Sequence, residues 1–310
     1  MSKEFRIATR GSPLALWQAE YVKGRLERTH PDLDVRLIRI QTRGDKILDT
    51  ALANVGGKGL FVKELEDALL RGEADLAVHS MKDAPVYLPD NLVIAAVTAR
   101  EDPRDALVSS YARSLDELRL GARVGTSSLR RQSQLLEKRP DLETVTLRGN
   151  VDTRLNRMEA VYLDGIVLAA AGLKRLGLEH RISHVFSPDE MIPAIGQGAL
   201  GLEVREDDRE TRKRISAFNH PDTETEVRAE RAFLRTLEGG CQVPIAAKAT
   251  CRDGILDMTG LVSELDGSRV IRSRISGPRE HSVALGVQLA KTILEGGARG
   301  ILERLYDRAP

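Results

Sequence analysis

Short apolar runs alternate with amphipathic stretches along most of this chain, and that alternation constrains its fold more than any other feature. Phe5–Thr9 reads as a strand. Ser12-Pro13 then supplies an N-cap followed by proline at the first helical position, opening a helix to about Arg28. Val35–Ile40, Ala74–Val78 and Leu92–Val97 read as further strands, and Leu60–Arg71 carries apolar residues at helical spacing. Strands interleaved with helices predict an α/β domain with a mainly parallel sheet.

At 310 residues the chain is too long for one ordinary domain. A charged run at Ala99–Asp105, containing Pro103, reads as a crossover into a second α/β domain. There Arg123–Gly125, Thr144–Leu147 and Gly165–Leu168 are predicted strands, with helices from about Ser128, Val151 and Ala170. The Gly- and Pro-rich stretch Pro193–Gly201 reads as the return crossover, after which Leu200–Val204 rejoins the first domain. From Pro221 a helix (Glu224–Leu237) precedes three strand-like runs and a helical tail from about Ser282, the order of a small α+β domain. The expected domains are 1–98 plus 199–217, 99–198, and 218–310.

Charge nearly cancels, with 47 Lys and Arg against 46 Asp and Glu, and only 4% of residues are aromatic. Both facts speak against a nucleic-acid binder, which needs a basic face or stacking platforms. The two cysteines, Cys241 and Cys251, are too few for a disulfide framework. The charged N-terminus lacks the apolar run of a signal peptide, and no stretch approaches 18 apolar residues, so a cytoplasmic protein is expected. No zinc motif accompanies His180 and His184, and Gly56-Gly57-Lys58-Gly59 lacks the spacing of a phosphate loop, so no metal is expected.

Within this balance 36 of the basic residues are Arg and only 11 are Lys. Arg grips carboxylate or phosphate with a planar fork. Residues 121–157 hold eight basic against four acidic residues. In Thr126-Ser127-Ser128-Leu129-Arg130-Arg131 three hydroxyl residues precede a helix whose first turn carries two arginines, against the helix dipole. Such an arrangement makes sense beside an external anion. The design recurs at Arg148-Gly149-Asn150 with Arg154, and at Thr9-Arg10-Gly11-Ser12-Pro13. Ligands of α/β sheets bind at the carboxyl ends of strands, so a polyanionic ligand is expected. A two-lobed receptor for a small anion fits the same pattern.

Two further motifs stand out. His79-Ser80-Met81-Lys82-Asp83-Ala84-Pro85 follows a strand, and Asp83 there is a turn residue, a stabiliser of developing positive charge, or a general acid. In Gly239-Gly240-Cys241 a cysteine follows two glycines on a loop, where a thiolate can react, whereas Cys251 lies in an apolar strand.

Taken in order, these motifs resemble the porphobilinogen deaminase family, also called hydroxymethylbilane synthases. The resemblance runs nearly end to end and includes Ser12-Pro13-Leu14-Ala15, Thr42-Arg43-Gly44-Asp45, Gly56-Gly57-Lys58-Gly59, Gly196-Gln197-Gly198-Ala199 and Glu238-Gly239-Gly240-Cys241. It implies two periplasmic-binding-protein-like (type II), doubly wound α/β domains and a smaller C-terminal α+β domain. It implies a transferase that condenses four porphobilinogen units, losing ammonia, into a linear tetrapyrrole on a covalent dipyrromethane primer. Each pyrrole unit carries an acetate and a propionate, so the growing chain is a polycarboxylate.

By the same resemblance Asp83 is the catalytic residue and Cys241 carries the primer through a thioether. Ser80, Lys82, Asp83, Thr126, Ser128, Arg130, Arg131 and Arg148 then bind the cofactor. Arg10, Ser12, Lys58, Arg148, Arg154, Arg175 and Gln197 bind substrate. Arg175 is expected at the start of a helix after a strand. Asn54 stands where family members commonly have Lys, and it is not assigned a role. The partners expected are porphobilinogen and the growing polypyrrole chain, with no nucleic acid, membrane or metal, and a monomer is expected.

Overall fold

The computed structural model describes residues 3–42, 44, 62–238 and 243–307. Among these, 3–42, 44, 62–101 and 198–224 form one compact unit, and 102–197, 225–238 and 243–307 form another.

The first unit opens with β1 (Lys3–Arg10) and α1 (Pro13–Thr29). Ser12 caps the helix by accepting a hydrogen bond from the Ala15 backbone N–H at 3.3 Å. Pro13 stands in the first turn, where its missing N–H leaves no gap in the helix. β2 (Leu33–Ile40), α2 (Lys63–Leu70), β3 (Leu76–Ser80) and β4 (Leu92–Val97) follow. The chain returns to this unit as β10 (Leu200–Arg205) and α6 (Arg209–Ile215), and the strand order is β2-β1-β3-β10-β4. Strand alternation decides the layering. Ile7 of β1 packs with Ala19, Val22 and Leu26 of α1, while its neighbour Ala8 packs with Leu65, Ala68 and Leu69 of α2. Helices therefore cover both faces of the sheet.

The second unit repeats this plan. Its sheet holds β5 (Asp105–Val108), β6 (Arg123–Gly125), β7 (Glu143–Val145), β8 (Gly165–Ala169) and β9 (His184–Val185), in the order β7-β6-β8-β5-β9. α3 (Leu129–Lys138) lies on the face with Leu107, and α4 (Val151–Ala160) and α5 (Ala170–Arg175) on the face with Ala106 and Val108. The same unit contains α7 (Pro221–Thr236), most of which belongs to it, and the antiparallel sheet β11 (Ile245–Arg252), β12 (Ile255–Ser263) and β13 (Val270–Pro278). α8 (Ser282–Ile293) and α9 (Arg299–Asp307) complete it. Phe233 of α7, Met258 of β12 and Leu289 of α8 meet in one core.

The α/β class is as read from the sequence, but the large sheets are mixed rather than mainly parallel. β1 runs parallel to β2 and β3, whereas β10 is antiparallel to β3 and β4. In the second sheet β5 is antiparallel to β8 and β9. β10 reaches its sheet from the second unit and not through a helical crossover, so nothing obliges it to run parallel. β5 lies partly inside the charged run taken for a crossover, and β9 has only two residues. The helix expected from Glu224 begins at Pro221, and the strand expected over Thr144–Leu147 spans Glu143–Val145.

α8 crosses α7 at Gly286, where an added Cβ would overlap the Ala229 carbonyl. In an isolated helix Ala is favoured over Gly by about 1 kcal/mol. In this protein Gly286→Ala is expected to destabilise by about 1–3 kcal/mol through overpacking, seen as a lower thermal midpoint. A raised midpoint would show that the helices do not meet so closely.

Candidate active site

In the first unit β1 and β3 are parallel neighbours, so their carboxyl ends share one edge of the sheet. Arg10 ends β1 and Ser80 ends β3. A hollow at this edge is lined by Arg10, Ser12, Gln18, His79, Ser80 and Asp83. Gln18, buried on α1, donates from Nε2 to the Ser80 hydroxyl at 2.9 Å. The Asp83 N–H donates to the Ser80 carbonyl at 2.9 Å, closing the turn after β3. Met81 anchors that turn, since its N–H donates to the Ala199 carbonyl at 3.0 Å and its sulfur fills the space over Gly201. Asp83 is exposed, and its carboxylate makes no hydrogen bond or ion pair among the described residues. Lys82 is half-buried beside it.

The second unit holds the arginine-rich motif. Thr126 Oγ1 accepts from the Ser128 N–H at 3.2 Å, and Ser127 donates to the Leu147 carbonyl at 2.5 Å. Ser128 occupies the N-cap of α3 without a side-chain capping bond. Arg130 and Arg131 do not project into solvent; they are 4% and 5% exposed. Both reach Asp105 at the start of β5, Arg130 Nη1 at 2.7 Å from Oδ2 and Arg131 Nη2 at 2.8 Å from Oδ1. Arg130 also donates to the Ile192 carbonyl and Arg131 to that of Val167. Burial disfavours the charge of Asp105, but the two guanidinium groups outweigh it and hold the carboxyl well below the usual range. Asp105 is thus shared between the two arginines. The anion that the arginine-bearing helix start called for is, in the first instance, an internal one.

Two family descriptions match the chain. "Porphobilinogen deaminase, dipyromethane cofactor binding domain" covers residues 5–213, and "Porphobilinogen deaminase, C-terminal domain" covers 224–295. The chain belongs to the porphobilinogen deaminase family. A relative of that name in Pelobacter propionicus is 56% identical over 306 residues, covering 99% of this chain and 98% of its own. Another in Syntrophotalea carbinolica is 58% identical over 304 residues, 98% of this chain and 96% of its own. The methionine binding protein MetQ superposes with a TM-score of 0.44 at 16% identity, over 71% of this chain and 92% of that one.

The residues that the porphobilinogen deaminase resemblance points to are placed as follows. Arg10, Ser12, Ser80 and Asp83 line one hollow in the first unit. Arg148 follows β7 after a short gap and is half-buried, and burial lowers its pKa. Arg154 lies in the first turn of α4 and donates from Nε to the Gly149 carbonyl at 2.8 Å. Arg175 is the last residue of α5, not the start of a helix, because the chain turns helical immediately after β8 at Ala170. Gln197 is buried and donates to the Pro103 carbonyl at 2.6 Å and to Asp105 at 3.0 Å. Lys58 and Cys241 lie outside the described residues, as do Arg43 and Asn54.

Neither Gln18 nor Asp105 is among the site residues expected from the sequence. The signal for Gln18 was a polar residue beside Ala19 on the buried face of a predicted helix. For Asp105 it was an acid directly before the apolar run Ala106-Leu107-Val108. Removing the Asp105 charge leaves two buried guanidinium groups facing each other. Asp105→Asn is expected to destabilise the protein by about 3–5 kcal/mol, measured by denaturant unfolding. A loss below about 1 kcal/mol, the worth of an exposed pair, would show that the cluster is solvated.

Proposed function

We propose that the chain condenses four porphobilinogen units, with loss of ammonia, into the linear tetrapyrrole hydroxymethylbilane on a dipyrromethane primer carried by Cys241. The observation that carries this reading is the hollow of the first unit. It sets the carboxylate of Asp83, unengaged by any described residue, among Arg10 and the hydroxyls of Ser12 and Ser80.

The donor set suits a polycarboxylate. Arg10, Arg148, Arg154 and Arg175 stay protonated at any working pH and offer forked donors to acetate and propionate groups. Lys58 and Lys82 add point charges, Ser12, Ser80, Thr126 and Ser128 add hydroxyl donors, and Gln197 an amide. Arg130 and Arg131, held by Asp105, add their forks to this set. The bound primer supplies a free pyrrole α-carbon as nucleophile. Asp83 stabilises the cation left on the substrate when ammonia departs, a preorganised electrostatic role.

Domain boundaries at 1–98 plus 199–217, 99–198 and 218–310 follow from this reading, with the β11–β13 sheet in the third domain. We further place the protein in the cytoplasm as a monomer that works without a metal. No helix among the described residues is long and apolar enough to cross a membrane. No described group of three His, Cys, Asp or Glu side chains is arranged to hold a metal.

Asp83→Asn is expected to keep the fold and lower kcat by at least about 10²-fold, followed by porphobilinogen consumption. Near-normal turnover removes Asp83 from the mechanism. Cys241→Ser is expected to yield protein with no covalent pyrrole adduct by intact mass. An adduct that persists places the attachment elsewhere, Cys251 being the other thiol.

A further inference from the structure

Behind the hollow lies a buried group of ionisable side chains with no part in binding the pyrrole carboxylates. His79 lines the hollow and is 5% exposed. Its Nε2 lies 2.6 Å from Oε2 of Glu203, a fully buried residue of β10. Glu66 on α2 is 6% exposed, and α2 packs on both β3 and β10. One carboxylate oxygen of Glu203 and one of Glu66 are buried without a hydrogen-bond partner among the described residues. Native proteins seldom leave such atoms unmatched, because an unpaired charged oxygen costs several kcal/mol when desolvated. A proton held on the Glu66 carboxyl removes part of that cost.

Burial and the charge of Glu203 push the Glu66 carboxyl up to about 7, while His79 and Lys63 pull it down and Asp67 adds to the rise. β1 and β4, the other strands packed on α2, bring Ala8 and Leu92 to it.

We propose that His79, Glu203 and Glu66 form a buried relay that takes up the proton freed at each condensation, with the two glutamates acting as positioning and proton-holding residues behind the imidazole. The inference rests on the reading that the hollow beside Asp83 is where condensation occurs. In that step the C–N bond of the protonated aminomethyl group breaks and neutral ammonia leaves. The new C–C bond then forms at a pyrrole α-carbon. That carbon must shed its hydrogen as H⁺, returning the C–H electron pair to the ring. His79 receives the proton, Glu203 shares it through Nε2, and ionised Glu66 stabilises the charged relay. The proton finally leaves with ammonia as ammonium, so atoms and charges balance. With Glu66 already protonated the relay is full, and kcat falls as pH drops through about 7.

The test compares holoenzyme of wild type, Glu66→Gln and Glu203→Gln. In wild type, log kcat should fall on the acid side of about pH 7. In Glu66→Gln that limb should shift or vanish, and kcat at pH 8 should drop about 10-fold or more, within the range of general acid–base effects, with KM little changed. Glu203→Gln should lower kcat further. An infrared titration of resting enzyme reads the relay without turnover: a protonated-carboxyl band should disappear as pH rises through about 7 and be missing in Glu66→Gln. Stability gives a third reading. A carboxyl raised in the folded state loses its stabilising contribution as pH rises from about 4.5 through about 7, so Glu66→Gln should lack that decline. Unchanged pH profiles in both variants, or no such band in wild type, overturn the relay. If Asp83→Asn turns over normally, the underlying site reading fails instead.

Discussion

Two guanidinium groups closing on one buried carboxylate organise the second unit of this protein. Asp105 opens β5, and Arg130 and Arg131 reach it from the first turn of α3. The same arginines take carbonyls from Val167 on β8 and Ile192 beyond β9, and Gln197 adds its amide to Asp105. The segment where the chain enters this unit, the helix that follows β6 and the segment where the chain leaves are thereby tied at one point. An ordinary helix start disfavours cations. Here the cost is offset by Asp105, which both guanidinium groups reach. The price in stability of such a cluster is high if any member is lost, which fits a group kept for placement of charge.

The first unit is organised differently. Its hollow is lined by both Arg10 and Asp83. The turn after β3 is set by hydrogen bonds: Ser80 receives the Asp83 N–H, Met81 is anchored on Ala199, and Gln18 holds the Ser80 hydroxyl. Asp83 is thus placed by its main chain, and its carboxylate makes no hydrogen bond or ion pair among the described residues. Behind it, His79, Glu203 and Glu66 bring three ionisable groups into a buried space.

Much of this was legible in the sequence, for identifiable reasons. Ser12-Pro13 marks a helix start because capping and proline geometry are local, and α1 begins there. Phe5–Thr9 marks a strand because its composition is local, whereas the packing of Ile7 and Ala8 against different helices is a tertiary fact. Arg10, Ser12, Ser80 and Asp83 could be grouped because motifs at the ends of parallel strands converge in space. The direction of β10 was not legible, since it depends on which unit the chain returns from. Nor was the Arg130–Arg131 contact with Asp105, 25 residues away in sequence. Local pattern reveals an arginine pair at a helix start; only tertiary packing decides whether its anion is a ligand or a neighbour. The same holds for His79 and Glu203, which are 124 residues apart and meet across β3 and β10.

The proposed function requires a pyrrole chain held covalently by the protein. Intact mass of the denatured wild-type protein, before and after brief exposure to porphobilinogen, tests it most directly. The account predicts a resting mass raised by one dipyrromethane, then discrete further steps of one pyrrole unit each. A resting mass equal to the bare polypeptide, with no added steps although the substrate is consumed, would contradict it.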